Sequence, residues 1–336
     1  MARYIAFRLL VVVPVMVGIM VVTFFVTHVL PADPAVEAAG AYPTPALVRA
    51  ARIRLGLNHS IFVQLWTYAK QVVQGNLGSS AVTGRSVATE IVDRLPSTLE
   101  LITLSMVVAC TLGVGVAIIA SRRGRGIRDG VGKVYGAFGA SVPDYFLALL
   151  LILLFYTALH VFPAPLGQAG PTAPTITDRS GAYFLDAILA GNGSAVWVGF
   201  QHLVLPVAAL GIVFGSPIYR VARASIESIE RSPYIDYVTM MGGGRRFVLG
   251  YVMQNALPPI VTLTGIIYGL LLGGAVLVET VFGWGGVGQY AVQAVDNADY
   301  YAIQGFVLMA ALFSVLVYFA VDLLHAALDP RVRRAM

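Results

Sequence analysis

The sequence predicts an all-α polytopic membrane protein with six transmembrane helices and both termini in the cytoplasm. Three observations lead there. Of 336 residues, 58% are hydrophobic and only 12% are charged, about half the charge of an ordinary soluble domain. Apolar runs of roughly 20 residues, the length that crosses hydrocarbon as a helix, recur along the chain. The basic residues gather in alternate segments between these runs: Arg3 and Arg8, then Arg122, Arg123, Arg125, Arg128 and Lys133, then Arg220, Arg223, Arg231, Arg245 and Arg246, then Arg331, Arg333 and Arg334. That asymmetry is the positive-inside pattern.

Each element has a local reason. The first apolar run, 9–30, is longer than a signal-peptide core and reads as an uncleaved span. Its Pro14 lies near the start, where proline is best tolerated. Pro31-Ala32-Asp33-Pro34 closes it. Residues 31–96 form an extracytoplasmic insert of ordinary polarity, with amphipathic pieces at 46–55 and 61–73 and a turn at 76–80. Val87, Ile91 and Leu95 recur at four-residue spacing, which predicts a short helix lying on the membrane surface. Pro96-Ser97-Thr98 is expected to start the next helix, with Glu100 near its positive end.

The second span runs over 99–120 and the third over 134–159. Ser141-Val142-Pro143-Asp144 should break the third, because proline removes an amide and clashes with the preceding turn. An external loop over 161–198 carries a short amphipathic piece at 183–189. The fourth span, 199–221, contains Pro206 and Pro217; the fifth covers 260–278 and the sixth 304–325. Between the last two, Glu279 to Gly288 reads as a re-entrant external segment. The chain thus divides into a first span (1–30), an external insert (31–96) and a five-span core (97–336) that includes a cytoplasmic loop over 223–257.

Several function classes drop out. The net charge of +5 follows membrane topology, with no nucleic-acid motif around it. Cys110 is the only cysteine, so no intrachain disulfide forms, and no metal-ligand spacing occurs. The nucleotide-binding pattern G-x-x-x-x-G-K-[ST] is missing, since Gly132-Lys133 lacks both the upstream glycine and the following hydroxyl. Ionisable residues inside spans are functional candidates, and they are few. Asp144 either caps the amides freed by the break or lines a pathway. Trp284, set among glycines, is either an interfacial anchor or part of an external gate; the anchor is the simpler reading.

One stretch does not fit simple topology: SIESIERSPYIDYVTMMGGGRRFVLGYVMQNALPP, residues 225–259. It is too polar to span and too long for a turn. A structured loop of this kind between spans is normally there to touch a partner.

Together with that stretch, four segments carry a family resemblance: RYIAFRLLVVVPVMVGIMVVTFFVTHVLPADPA; LGLNHSIFVQLWTYAKQVVQGNLGSS with TGRSVATEIVDRLPSTLEL; GGAVLVETVFGWGGVGQYAVQAVDNADYYAIQG; and VDLLHAALDPRVR. The chain resembles the permease subunits of binding-protein-dependent ABC importers, in the dipeptide/oligopeptide/nickel branch. The resemblance runs nearly end to end and implies a type I importer architecture in the inner membrane. It implies a coupling helix near 232–241 that docks on a cytoplasmic ATPase subunit, with Tyr234, Asp236, Tyr237, Met240, Gly244 and Arg245 as contact residues. The family's run after Tyr-Val is replaced by Met240-Met241-Gly242-Gly243-Gly244-Arg245-Arg246, and each glycine weakens a helix by about 1 kcal/mol relative to alanine. The helix should therefore end near Met241. Ser141, Pro143, Asp144, Glu279 and Trp284 are candidates for a pathway or gate. The implied partners are a second permease, one or two ATPase subunits, a solute-binding protein and membrane lipid. This chain would hold no cofactor, ATP and magnesium belonging to the ATPase. Dipeptides, oligopeptides, nickel complexes and glutathione-like peptides all fit. A stand-alone carrier or channel is the competing reading; an intramembrane enzyme would need a catalytic pair that the spans lack.

Overall fold

The computed structural model describes residues 2–29, 35–36, 42–54, 56–121, 126–242 and 244–328. Expectations for Pro31, Asp33 and Pro34, for Arg122, Arg123 and Arg125, for Gly243 and for the basic tail lie outside them. The described residues are helical, apart from loops and one isolated bridge between Ser79 and Ser86. In order, the helices are α1 (Ala2–Val29), α2 (Pro45–Arg54), α3 (Ile61–Val73), α4 (Val87–Ser121) and α5 (Ile127–Ser141). Then follow α6 (Asp144–Leu151, continued by a π-helical turn over Ile152–Ala158), α7 (Tyr183–Leu189), α8 (Gly193–Glu230) and α9 (Pro233–Met240). The last three are α10 (Arg245–Phe282), α11 (Val287–Asp296) and α12 (Tyr300–Leu328).

Among the described residues, α4, α8, α10 and α12 are long and apolar enough to cross a membrane. The pair α5–α6, bent by 107°, makes a fifth candidate span, and α1 contributes a shorter apolar stretch, Val12–Val26. The amphipathic pieces fall as the sequence predicts, on α2, α3 and α7. The predicted break also occurs: α5 ends at Ser141, and Pro143 in extended conformation (φ −61°, ψ 144°) precedes α6.

Two expectations are corrected. The segment 87–95 is not a separate surface helix, because α4 runs unbroken through Pro96. Its inner face, Val87 and Ile91, is covered by Val287, Tyr290, Ala294 and Ala302. Glu90 is fully buried and ion-paired to Arg85 (3.2 Å) and Arg94 (2.7 Å). Around the proline, Ser97 Oγ donates to the Arg94 carbonyl (2.8 Å), one backbone acceptor satisfied by a side chain. The stretch 225–259 is likewise not a long loop. Helix α8 continues to Glu230 and α10 begins at Arg245, so only short connections flank α9.

The core is built on α4 against α8. Small residues let the backbones approach, the usual way helices pack when lipid removes the hydrophobic drive between them. A methyl group at Gly113 would lie 2.7 Å from the Gly215 carbonyl oxygen and 2.9 Å from the Ile218 side chain. Leu101, Ile102, Leu210, Ile218, Leu271 and Leu272 fill the interior between α4, α8 and α10. The end of the bundle where α4 begins and α10 finishes is termed the upper end below.

Over that end lies the 160–192 segment, tied by Asp186. This buried carboxylate accepts the amides of Arg179 (2.9 Å) and Ser180 (3.1 Å) and the Ser180 hydroxyl (2.8 Å). Burial pushes the carboxyl up, but these hydrogen bonds outweigh it and hold it below the ordinary aspartate range. A depressed carboxylate contributes stability that is complete above its unfolded value and lost as pH falls through the folded one. Asp186→Asn should therefore speed hydrogen exchange across residues 178–186 at neutral pH. The wild-type chain should show the same loosening only below about pH 4, and amide exchange by mass spectrometry checks both.

Candidate functional site

The structure places the predicted functional residues in three separate locations. The first is the lower end, around α9. Ser232 precedes the helix in extended conformation, Pro233 occupies its first position and Asp236 lies in its first turn. Proline there loses no helical hydrogen bond, and an acidic group suits the positive end of the helix dipole. The helix ends at Met240, with Met241 as its C-cap and Gly242 at φ +82°, in line with the sequence expectation.

Among the described residues, Ile235 and Tyr234 join α9 to the bundle. Ile235 is buried in the main core, and the Tyr234 ring stacks on Tyr251 of α10 (centroids 4.7 Å apart, planes at 27°). The rest faces outward. Tyr237 is 59% exposed, Met240 85% and Met241 72%, and Phe247 at the start of α10 is 66% exposed. Asp236 is also exposed, and Gly244 is the exposed N-cap of α10. The Arg245 side chain lies outside the described residues. An eight-residue helix with an apolar outer face and little anchorage suits helix-in-groove recognition, in which such a face fills a partner's cleft.

The second location is the break in α5–α6. Ser141 Oγ donates to the Ala137 carbonyl (2.9 Å) and Asp144 Oδ1 accepts the Tyr145 amide (2.7 Å). Asp144 is the first residue of α6 and accepts the amide of its neighbour; Pro143 holds the N-cap position, which has no side-chain cap hydrogen bond. Pro143 lies between Ser141 and Asp144, at the break.

The third is the upper end, where Glu279 and Trp284 form a buried junction. Thr98 Oγ1 of α4 donates to Glu279 Oε1 (2.5 Å) and accepts the Val287 amide (2.9 Å). Glu279 Oε2 accepts the Gln289 amide (3.0 Å). Trp284 Nε1 donates to the Ser97 carbonyl (3.0 Å). Trp284 is 1% exposed, so the anchor expectation is corrected. Its ring fills the core, and its N–H finds a partner in α4 instead of at a membrane surface. The surrounding glycines have a steric cause: Gly283 takes a left-handed φ of +62° to end α10, and a methyl at Gly288 would lie 2.8 Å from the Val276 backbone. Glu279 and Trp284 bond to α4 and to the start of α11, whereas Ser141 and Asp144 bond within their own helices.

Sequence reasoning missed a polar joint at the lower end. Arg223 of α8 donates to Asp129 of α5, to Glu227 (2.7 Å) and to the Tyr219 hydroxyl (2.7 Å). The four-residue spacings Asp129–Lys133 and Arg223–Glu227 were a signal for local pairs, but not for the link between them.

Comparison with known proteins fits this geometry. Residues 113–334 match the family described as binding-protein-dependent transport system inner membrane component. The chain belongs to that family. Residues 1–102 match the companion N-terminal model for the same membrane components. Relatives extend over nearly the whole chain. The dipeptide transport system permease protein DppB of Alkalihalophilus pseudofirmus is 35% identical, covering 99% of this chain and 100% of that protein. The probable D,D-dipeptide transport system permease protein DdpB of Escherichia coli is 35% identical over 95% and 94%. The glutathione transport system permease protein GsiC of Salmonella choleraesuis is 33% identical over 99% of each. This inner membrane component is thus the multi-pass translocation subunit of an ABC importer, a system that also comprises a solute-binding protein and an ATPase.

In this inner membrane component the upper junction should be structural. Thr98→Val leaves Glu279 and the Val287 amide each short of a partner, a cost of about 1–3 kcal/mol per buried group. A lowered thermal midpoint in detergent is expected, with Thr98→Ser near wild type; an unchanged midpoint for the valine variant would count against the junction.

Proposed function

We propose that the chain is one of two permeases in an importer of di- or oligopeptides or similar small solutes, and that α9 is its coupling helix. The observation that carries this is the short, weakly anchored helix between two spans, presenting Tyr237, Met240, Met241 and Phe247 outward. Family membership supports a cytoplasmic ATPase as the partner for that face, with ATP and magnesium held there and no nucleotide chemistry on this chain. Tyr234, Asp236, Gly244 and Arg245 lie on or beside the same segment and complete the proposed contact.

The topology that goes with this reading has six spans and both termini in the cytoplasm, the broken α5–α6 pair counting as one and α1 as another. The clustering of arginines around α9 and the start of α5 supports it. The names of the relatives support peptides as the substrate class. Closure of the ATPase subunits would move α9 and its attached spans as rigid bodies, with Ser141, Pro143 and Asp144 at the hinge of the moving part. No observation favours a stand-alone carrier.

Tyr237→Asp and Met240→Asp place charge in an apolar contact without touching the core. Each is expected to lower co-purification of the ATPase subunit by about tenfold or more, since a truncated or desolvated anchor costs upwards of about 1 kcal/mol. ATP-driven uptake should fall with it while the thermal midpoint stays put. Full retention of the ATPase by both variants would refute the contact.

A further inference from the structure

The joint between α5 and α8 has no part in the coupling contact described above, yet it is built more elaborately than the contact itself. Arg223 sits two turns before the end of α8, and α9 begins three residues after that end. Its guanidinium is shared among Asp129 at the start of α5, Glu227 and Tyr219, the last buried at 2% exposure. Above the ion pair, α5 lies flush on α8. Gly132, Gly136 and Gly139 face it, and a methyl at Gly136 would lie 2.9 Å from the Tyr219 ring. Ser216 Oγ donates to the Gly136 carbonyl (3.0 Å), and the Tyr135 hydroxyl donates to the Ile212 carbonyl (3.2 Å). Thus α5 is fastened to α8 along its length, from Asp129 to Gly139. Immediately afterwards the chain breaks at Val142-Pro143 and turns through 107°.

A helix packed without voids and tied at its end follows its neighbour as a rigid body, and displacement is taken up at the next hinge. We infer that Arg223 is a positioning residue that locks α5 to α8, so that displacement of α9 reaches the Ser141–Asp144 break through α5. The inference rests on the coupling role proposed for α9. It makes the Asp129–Arg223 pair the link between the ATPase contact and the broken span. Arginine suits the place because its planar fork holds three acceptors at once, which a lysine ammonium on a flexible stem does not do with the same geometry.

The test uses the chain assembled with its ATPase subunits, with Cys110→Ser and Ser141→Cys introduced so that position 141, exposed in the structure, carries the only thiol of this chain. The rate of N-ethylmaleimide labelling at 141 is measured without nucleotide and with ATP plus vanadate. With the joint intact, the two rates are expected to differ several-fold. In Asp129→Asn, which keeps the side-chain shape and removes the charge, that difference should collapse while the ATPase remains bound. Arg223→Lys is the second variant, used if the first fails to assemble, and should reduce the difference in the same direction. A nucleotide-dependent difference that persists undiminished in the variants, or none in the intact complex, overturns the inference. A merely structural role would alter thermal stability and both rates together, leaving their ratio intact. The proposed ATPase contact is judged separately: loss of the Arg223 effect with the ATPase still sensitive to Tyr237→Asp sinks only this inference.

Discussion

The close approach of α4 and α8 is the contact on which the remaining architecture depends. In lipid, apolar side chains gain little by leaving one apolar surrounding for another, so helix association rests on dispersion contacts and shared hydrogen bonds. Gly113 and Gly215 meet at the crossing, where a single methyl would touch the opposing backbone. That crossing fixes α8, a 38-residue helix, as a spine. Its upper end receives α7 and the 160–192 segment, its middle carries α10, and its lower end presents Arg223 and leads directly into α9.

The two ends of the spine are finished differently. At the upper end, several buried polar groups are paired: Glu90 with two arginines, Glu279 with Thr98 and the Gln289 amide, Asp299 with the Ser80 hydroxyl at 2.5 Å, while Glu100 Oε2 is buried without a hydrogen-bond partner among the described residues. Removing one member of such a network leaves an unpaired group in low dielectric, so these contacts favour a single arrangement. At the lower end, among the described residues, α9 meets the bundle through the buried Ile235 and the Tyr234–Tyr251 ring stack. A weakly held element with an apolar outer face is suited to pass on a partner's movement, while the networked end resists it.

Much of this was legible in the sequence because membrane proteins write their boundaries in composition. Amphipathic spacing located α2, α3 and α7, the Ser-Val-Pro-Asp run located the break, and three glycines marked where α9 had to stop. What hydropathy does not show is where a helix ends once it leaves hydrocarbon. Hence α8 and α10 continue well past their apolar runs, and α4 passes through Pro96, its first turns held by burial and by the Arg85–Glu90–Arg94 ion pairs. Long-range partners were equally invisible. Trp284 reads as an anchor until Ser97, 187 positions away, supplies its acceptor. Arg223 reads as topology until Asp129, 94 positions away, meets it.

Hydrogen exchange on the assembled importer tests the central claim most directly, because it asks where the ATPase touches this chain without altering any residue. Amide exchange of the chain in proteoliposomes is compared with and without its ATPase subunits bound. The account predicts that protection on binding is concentrated in α9, Pro233–Met240, and at the start of α10 around Phe247. Unchanged exchange across α9, with protection appearing on another surface, would contradict it.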